Sequence, residues 1–304
     1  MKISVIIPTL NAQATIGNLL TAIRGQTLSP EEIIIMDSES YDNSPQIAKR
    51  YGARVIRIKR VDFGHGQTRN LAASKAKGEI LVFLTQDALL ATTDTLENLV
   101  GVLRQPDVAA SYGRQLPRSN ATPLEKFARN FNYPDKPILK SKKHIKKLGI
   151  KTFFFSNVYS AIKKREFEEV GGFPEDAIAN EDMVLAAKLV LKGYKVAYVP
   201  EAEVLHSHNY NLINQLKRYF DIGVSLNRNR WILNYVSATP EGIRFLKEEL
   251  EYLWKSYAYN WIPYALLEAL VKYFGFKLGL AENALPIWLK KKLSMNWHFW
   301  NQCL

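Results

Sequence analysis

Over the first hundred residues two periodicities alternate. The runs at 3–8, 32–37, 54–58 and 79–87 are short, rich in β-branched residues and apolar without interruption, as suits strands covered on both faces. Between them, residues 12–24, 44–51 and 67–77 carry helix-like patterns. Strand, helix, strand, helix at that spacing predicts βαβ units, and so an α/β fold with a mostly parallel sheet flanked by helices. In such sheets a ligand lies outside the carboxyl ends of the strands. All four runs end in polar groups: Thr9 and Asn11, then 37–42, then 62–70, then Gln86 and Asp87. One alone would serve as a helix cap, and Asp42 or Asn43 suits the cap of a helix beginning near Ser44. Four ends facing one crevice point to a site.

The chain has 304 residues, 47% hydrophobic, enough for one large domain or a domain with an appended piece. Its net charge of +12 favours anionic partners without choosing among phosphates, nucleic acid and lipid headgroups. Lysines gather at 140, 142, 143, 146, 147 and 151, and again at 290–292; a solvated face is the ordinary reading of such runs. One cysteine, Cys303, excludes an internal disulfide or a Cys-based zinc site and fits a reducing cytoplasm. Neither a secretory signal nor a spanning helix is expected, so a membrane would be met along its surface.

Beyond Asp107 the pattern loosens. Residues 118–151, with Pro-containing turns and lysines, read as an insertion or mobile loop region. A strand is expected at 157–164, a helix at 181–193 with Gly193 as its cap, and a strand at 195–200. From Asn211 onward the chain reads as helical and aromatic-rich.

Asp87 ends an apolar run beside a neutral amide, which suits one or two bonds to a hard divalent cation shared with phosphates and water. Capping a helix near Thr92 is the alternative use. Glu181 and Asp182 open a helix anchored by Met183, Leu185, Ala186, Leu189 and Val190, where the helix dipole favours ionised acids. Projecting into the crevice, Asp182 would act as a general base toward a hydroxyl; a purely structural first-turn acid would occupy the same place. Alternation along AEVLHSHNY puts His206 and His208 on one face, where an imidazole could complete a metal shell begun by Asp87 or simply be a structural histidine.

The segments SVIIPTLNA, IIIMDSESYDNS, GHGQTRNLAASKAKGEILVFLTQDA, NEDMVL and VLHSH, in that order, resemble the inverting nucleotide-sugar-dependent glycosyltransferases of family 2, which have the GT-A fold. The resemblance covers roughly residues 1–230, and DFGHGQTRN, TQDA and LPIWLKKKLSMNWHFW are most similar to bacterial rhamnosyltransferases using dTDP-L-rhamnose for surface polysaccharides. It implies a donor half at 1–115, an acceptor and catalytic half at 116–230, and a helical region at 231–304 that is membrane-associated or dimerising. Nucleotide-sugar contacts would come from Pro8, Thr9, Asn11, Asp37, Ser40, His65, Arg69, Gln86 and Asp87, with Arg69 reaching the base or the diphosphate. A divalent cation, Mg²⁺ or Mn²⁺, would sit on Asp87 and His206; Asp182 would be the base; Glu181, His208 and Arg218 would stand near the acceptor or behind these groups.

Two departures stand out. Gln86 replaces an acid found in many relatives, which predicts a less charged metal shell, and QLKRY at 215–219 only echoes the family's Gln-x-x-Arg-Trp. The expected partners are the donor, a saccharide or polyprenyl-diphosphate-linked glycan acceptor, the inner face of the cell membrane and a second copy of the chain in a homodimer, but no nucleic acid. Trp254, Tyr257, Trp261, Tyr264, Tyr273, Phe274, Trp288, Trp297 and Trp300, interspersed with lysines, suit helices resting in a headgroup layer. The alternatives are a UDP-hexose donor, or a non-catalytic nucleotide-binding scaffold. A nucleotidyltransferase would carry a Gly-rich phosphate loop after the first strand, which PTLNAQATIG lacks.

Overall fold

In the computed structural model, residues 1–237 and 239–301 are described; Cys303 lies outside them. The strands are β1 Ile3–Thr9, β2 Glu32–Asp37, β3 Arg54–Arg57, β4 Ile80–Leu84, β5 Leu89–Leu90, β6 Val108–Leu116, β7 Ile138–Lys140, β8 Tyr159–Lys163 and β9 Lys195–Leu205. The α-helices are α1 Ile16–Arg24, α2 Ser44–Arg50, α3 His65–Lys75, α4 Thr95–Gly101, α5 Pro123–Asn132, α6 Ile145–Leu148, α7 Lys164–Glu169, α8 Glu181–Lys192, α9 Leu212–Arg228, α10 Thr239–Lys255, α11 Ile262–Leu280 and α12 Ile287–Leu293. One sheet runs β3-β2-β1-β4-β8-β6-β9-β5, with β7 also paired to β9.

Both faces of the central strands are covered. Ile6, Ile34, Leu81 and Phe83 pack with α3 and α8 residues such as Ala72 and Leu185, while Val5, Ile7, Ile35 and Val82 pack with α1 and α4 residues such as Leu20 and Leu99. That is why these strands are continuously apolar rather than alternating. The order β3-β2-β1-β4 is parallel, as the βαβ pattern requires. β8 then enters antiparallel to both β4 and β6, and β9 returns parallel to β6. Leu84 at the end of β4 faces Tyr159 at the start of β8, and Leu116 at the end of β6 faces Leu205 at the end of β9. Four strand termini therefore share one edge.

Residues 118–151 are not an insertion loop. They form α5, β7 and α6, with Leu124, Phe127 and Tyr133 buried. Nor is their lysine cluster one solvated face. Lys140 is buried with its ammonium donating to Tyr112 Oη at 3.1 Å and to the Phe154 carbonyl, over the Tyr112 ring. Lys151 pairs with Glu241 of α10 at 3.2 Å, whereas Lys142, Lys143, Lys146 and Lys147 remain exposed. Sequence spacing carries no mark of the aromatic surroundings that desolvate Lys140.

α9 and α11 pack through glycine. A Cβ on Gly279 would stand 2.1 Å from the Phe220 carbonyl oxygen, and one on Gly275 would stand 2.5 Å from that of Leu216. The close approach frees the opposite side of α11, where Leu266, Leu267, Leu270, Tyr273 and Phe274 are exposed. Trp300 departs from the expected headgroup-layer aromatics: it is 1% exposed, packed with Ile178, Phe220 and Val224. Trp300 thus packs against α9 and the segment just before α8. Gly279→Ala is expected to lower stability by about 1–3 kcal/mol through overpacking. Gly242→Ala, exposed in α10 with open space at its Cβ, should instead be neutral or stabilising by up to about 1 kcal/mol. Denaturant unfolding of both variants checks the contrast.

Candidate active site

The loops after β1 and β2 are tied together by side chains. Asn11, at φ 49°, donates its amide to Ser40 Oγ at 2.9 Å and accepts from the Tyr41 amide at 3.1 Å. Asp42, one of the two expected caps, accepts from the Ser44 amide at 2.9 Å and from the Gln13 amide at 2.9 Å, while Asn43 holds the cap position itself without a side-chain bond. These bonds surround Thr9 and Asp37, both buried. One Asp37 oxygen meets Arg57 at 3.3 Å; the other, Oδ1, is buried without a partner. Pro8 is half-buried beside them.

Gln86 follows β4 and reaches across to the β1 loop. Its Oε1 accepts from the Leu10 amide at 2.8 Å and its Nε2 donates to the Leu10 carbonyl at 3.1 Å. A carboxylate could not make the second bond. The residue that departs from the family's acid is therefore a backbone clamp.

Asp87 meets both histidines. Its Oδ2 lies 3.4 Å from His206 Nε2 and 3.1 Å from His208 Nε2, and the two nitrogens are 3.1 Å apart. Three donor atoms about 3 Å apart are what bonds of about 2.1 Å to one ion impose at right angles. This cluster could hold a divalent cation, with His208 a member of it rather than behind it. Burial pushes the Asp87 carboxyl up, but the two imidazoles set against it outweigh this and hold the group far below the ordinary carboxylate range; His208 Nε2, 3.1 Å from both Asp87 Oδ2 and His206 Nε2, is placed to donate to them. Tyr210 stacks on His208 with rings 5.2 Å apart, and Arg218 lies 5.5 Å over Tyr210. Arg118 donates to the Asp87 carbonyl.

Asp182 stands at the first turn of α8, accepting from the Asn157 amide at 3.1 Å and the Met183 amide at 2.8 Å. Burial first, and the charge of Glu181 second, push its pKa up to about 7. Glu181 itself is buried against Arg69 at 3.1 Å and accepts from Asn157 Nδ2 at 3.1 Å. Arg69 also donates to the His65 carbonyl at 2.9 Å, so it forms the wall between α3 and α8 instead of opening toward solvent. The His65 ring adjoins the same pair, and burial pushes its pKa down.

A chain of contacts joins the two acids. From Asp87 it passes through His206 to Gln115 at 2.9 Å, then to Ser156 at 2.8 Å, whose neighbour Asn157 holds Asp182.

The glycosyl transferase family 2 model matches residues 4–171. Over 304 residues the chain is 46% identical to the O-antigen chain rhamnosyltransferase RfbN of Salmonella typhimurium, covering 99% of this chain and 96% of that one. The chain belongs to glycosyl transferase family 2. It is also 44% identical to the O-antigen chain rhamnosyltransferase WbaN of Salmonella anatum, over 98% and 95% of the two chains. Among solved structures it is similar to the mannosyltransferase PcManGT of Pyrobaculum calidifontis, in complex with GDP-Man and Mn²⁺. That likeness has a TM-score of 0.58 at 22% identity and covers 99% and 83% of the chains, which shows the GT-A fold.

Gln115, Arg118, Arg129, Ser156 and Asn157 of this family 2 glycosyltransferase are not among the site residues that the sequence predicts. Gln115 had a usable signal: like Gln86 it is an amide closing an apolar strand, here VAASYGRQL. Ser156 and Asn157 precede an antiparallel strand, so the rule about carboxyl ends does not reach them. Glu181→Gln removes the charge beside Asp182, and the Asp182 pKa should then fall below its value of about 7. Carboxyl carbon NMR of labelled aspartate reads the shift; no change would leave burial as its whole cause.

Proposed function

We propose that this enzyme transfers L-rhamnose from dTDP-L-rhamnose to a saccharide or polyprenyl-diphosphate-linked glycan in O-antigen assembly, inverting the anomeric carbon. The chemistry rests on one observation: the Asp87–His206–His208 cluster and Asp182 stand on one sheet edge, joined through Gln115 and Ser156. Identity of 46% and 44% to two rhamnosyltransferases supports the sugar. Residues 1–115 would hold the donor, 116–230 the acceptor, and 231–304 would brace and anchor them.

Each group then has a task. Asp37 Oδ1, buried and unpaired, would accept an N–H of the pyrimidine base, with Thr9, Asn11 and Ser40 shaping the loops around it. Gln86 holds the β1 loop in register, and Arg69 holds Glu181 and with it the start of α8. Asp87, His206 and His208 would bind a divalent cation, and two imidazoles in the set favour Mn²⁺ over Mg²⁺. When bound there, the ion supplies positive charge toward the departing diphosphate. Arg118 and Arg218 add fixed positive charge nearby.

Asp182 takes the proton of the acceptor hydroxyl as that oxygen attacks the anomeric carbon. The bond from that carbon to the diphosphate oxygen breaks on the opposite side, and its electron pair leaves with dTDP. A base with a pKa of about 7 is well matched to this at neutral pH. Because the ionised form acts, kcat/KM should fall with acidification below about pH 7, and Asp182→Asn should cost about 10²–10⁴ in kcat. Release of dTDP from dTDP-L-rhamnose with Mn²⁺ measures both. Turnover with UDP-glucose or UDP-galactose alone would replace the donor, and dTDP binding without turnover in any acceptor mixture would favour a non-catalytic scaffold.

The exposed apolar side of α11, with Trp288 and Lys292 on α12, would rest on the inner face of the cell membrane beside a lipid-linked acceptor. No helix among the described residues is long and apolar enough to cross a membrane. Leu270→Ser with Phe274→Ser should weaken binding to anionic vesicles at least about tenfold and leave dTDP release intact. A shift from dimer to monomer in sedimentation, without loss of vesicle binding, would assign the face to a homodimer instead.

A further inference from the structure

Behind the Asp87–His206–His208 cluster lies a buried polar network that donor and acceptor chemistry alone constrains. Gln115, 2% exposed, sits at its centre. Its Oε1 accepts from Arg129 Nη1 and lies 2.9 Å from His206 Nδ1. Its Nε2 donates to Tyr133 Oη and to Ser156 Oγ at 2.8 Å. Arginine has only donors, so the Gln115 atom facing it must be the oxygen. The same oxygen meets His206 Nδ1, so that nitrogen must carry a hydrogen to bond it. The neutral ring then has a bare Nε2, the atom turned toward Asp87 and His208.

Arg129 is itself fixed. Glu125, one turn earlier on α5, accepts from Arg129 Nε at 2.7 Å and from the His208 main-chain amide at 3.2 Å. The Thr122 hydroxyl caps that turn by accepting from the Glu125 amide at 3.3 Å. One carboxylate thus orients the guanidinium behind His206 and the backbone that presents His208.

We propose that Glu125, Arg129 and Gln115 form a relay that locks His206 in its Nδ1–H tautomer, leaving Nε2 free to ligate the cation. Gln115 is a positioning residue, acting through His206 without touching the substrate. The relay rests on the metal reading of the cluster, and it gives α5, in the segment that reads from sequence as a loop, a defined part in cation binding. Hydrogen-bonded partners of this kind contribute about 10–100-fold in metal affinity.

The test uses the full chain with ¹⁵N-labelled histidine. In the metal-free wild type above pH 8, long-range ¹H–¹⁵N spectra should show His206 protonated at Nδ1 with a pyridine-type Nε2; protonation at Nε2 overturns the relay, whatever the variants do. Gln115→Met, close in shape but unable to accept, should release the tautomer and weaken Mn²⁺ binding, followed by electron paramagnetic resonance, by about 10–100-fold. Gln115→Glu keeps the acceptor and should retain both the wild-type ring spectrum and Mn²⁺ affinity. A merely structural Gln115 would lower thermal stability in Gln115→Met while leaving the His206 spectrum and Mn²⁺ affinity unchanged, which overturns the proposal. Asp87→Asn separates the two layers. If it binds Mn²⁺ as tightly as wild type, the metal reading fails and the relay with it; if it does not, an unchanged Gln115→Met sinks the relay alone.

Discussion

The reversal of β8 governs the rest of this molecule. Inserted antiparallel between β4 and β6, β8 brings its amino end to the edge where those two strands finish. Asn157, just ahead of β8, can then hold both acids of α8, while Asp87, just past β4, stands at the neighbouring position of the same edge. A fully parallel strand in that place would send Asn157 to the far side of the sheet. The convergence of Asp182 with the Asp87–His206–His208 cluster follows from one strand direction.

That edge concentrates charge in partly desolvated space, and the local pairings decide which charges persist. Burial alone would neutralise acids here. Glu181 stays ionised because Arg69 is buried against it, and the charge so retained helps keep the proton on Asp182 up to about pH 7. Neighbouring carboxylates on one helix turn are thereby pushed in opposite directions, Glu181 down and Asp182 up to about 7. At the other end, Asp87 is held ionised by the histidines that complete its cluster.

Much of this was legible in the sequence, for identifiable reasons. Strands buried on both faces leave uninterrupted apolar runs, so β1, β2 and β4 could be read, and the polar residues closing them pointed to Asp37 and Asp87. The apolar stripe after Glu181 exposed α8, and alternation paired His206 with His208. Strand direction leaves no such trace, so the mixed half of the sheet and the part played by Ser156 and Asn157 stayed hidden. Lys140 read as solvated because desolvation by Tyr112 and Phe154 depends on contacts between distant segments. Trp300 looked like its exposed neighbours Trp288 and Trp297, although only it is covered by α9. Gln86 looked like a missing acid, and only the bonds to Leu10 reveal what an amide does there.

The most direct measurement is an anomalous difference map from crystals of the protein grown with Mn²⁺ and dTDP. The account predicts one strong peak bonded to Asp87, His206 Nε2 and His208 Nε2, with the diphosphate against it and the Asp182 carboxyl facing the open space beyond. Manganese bound away from these three side chains, or Asp182 turned from the cavity that holds the diphosphate, would contradict it.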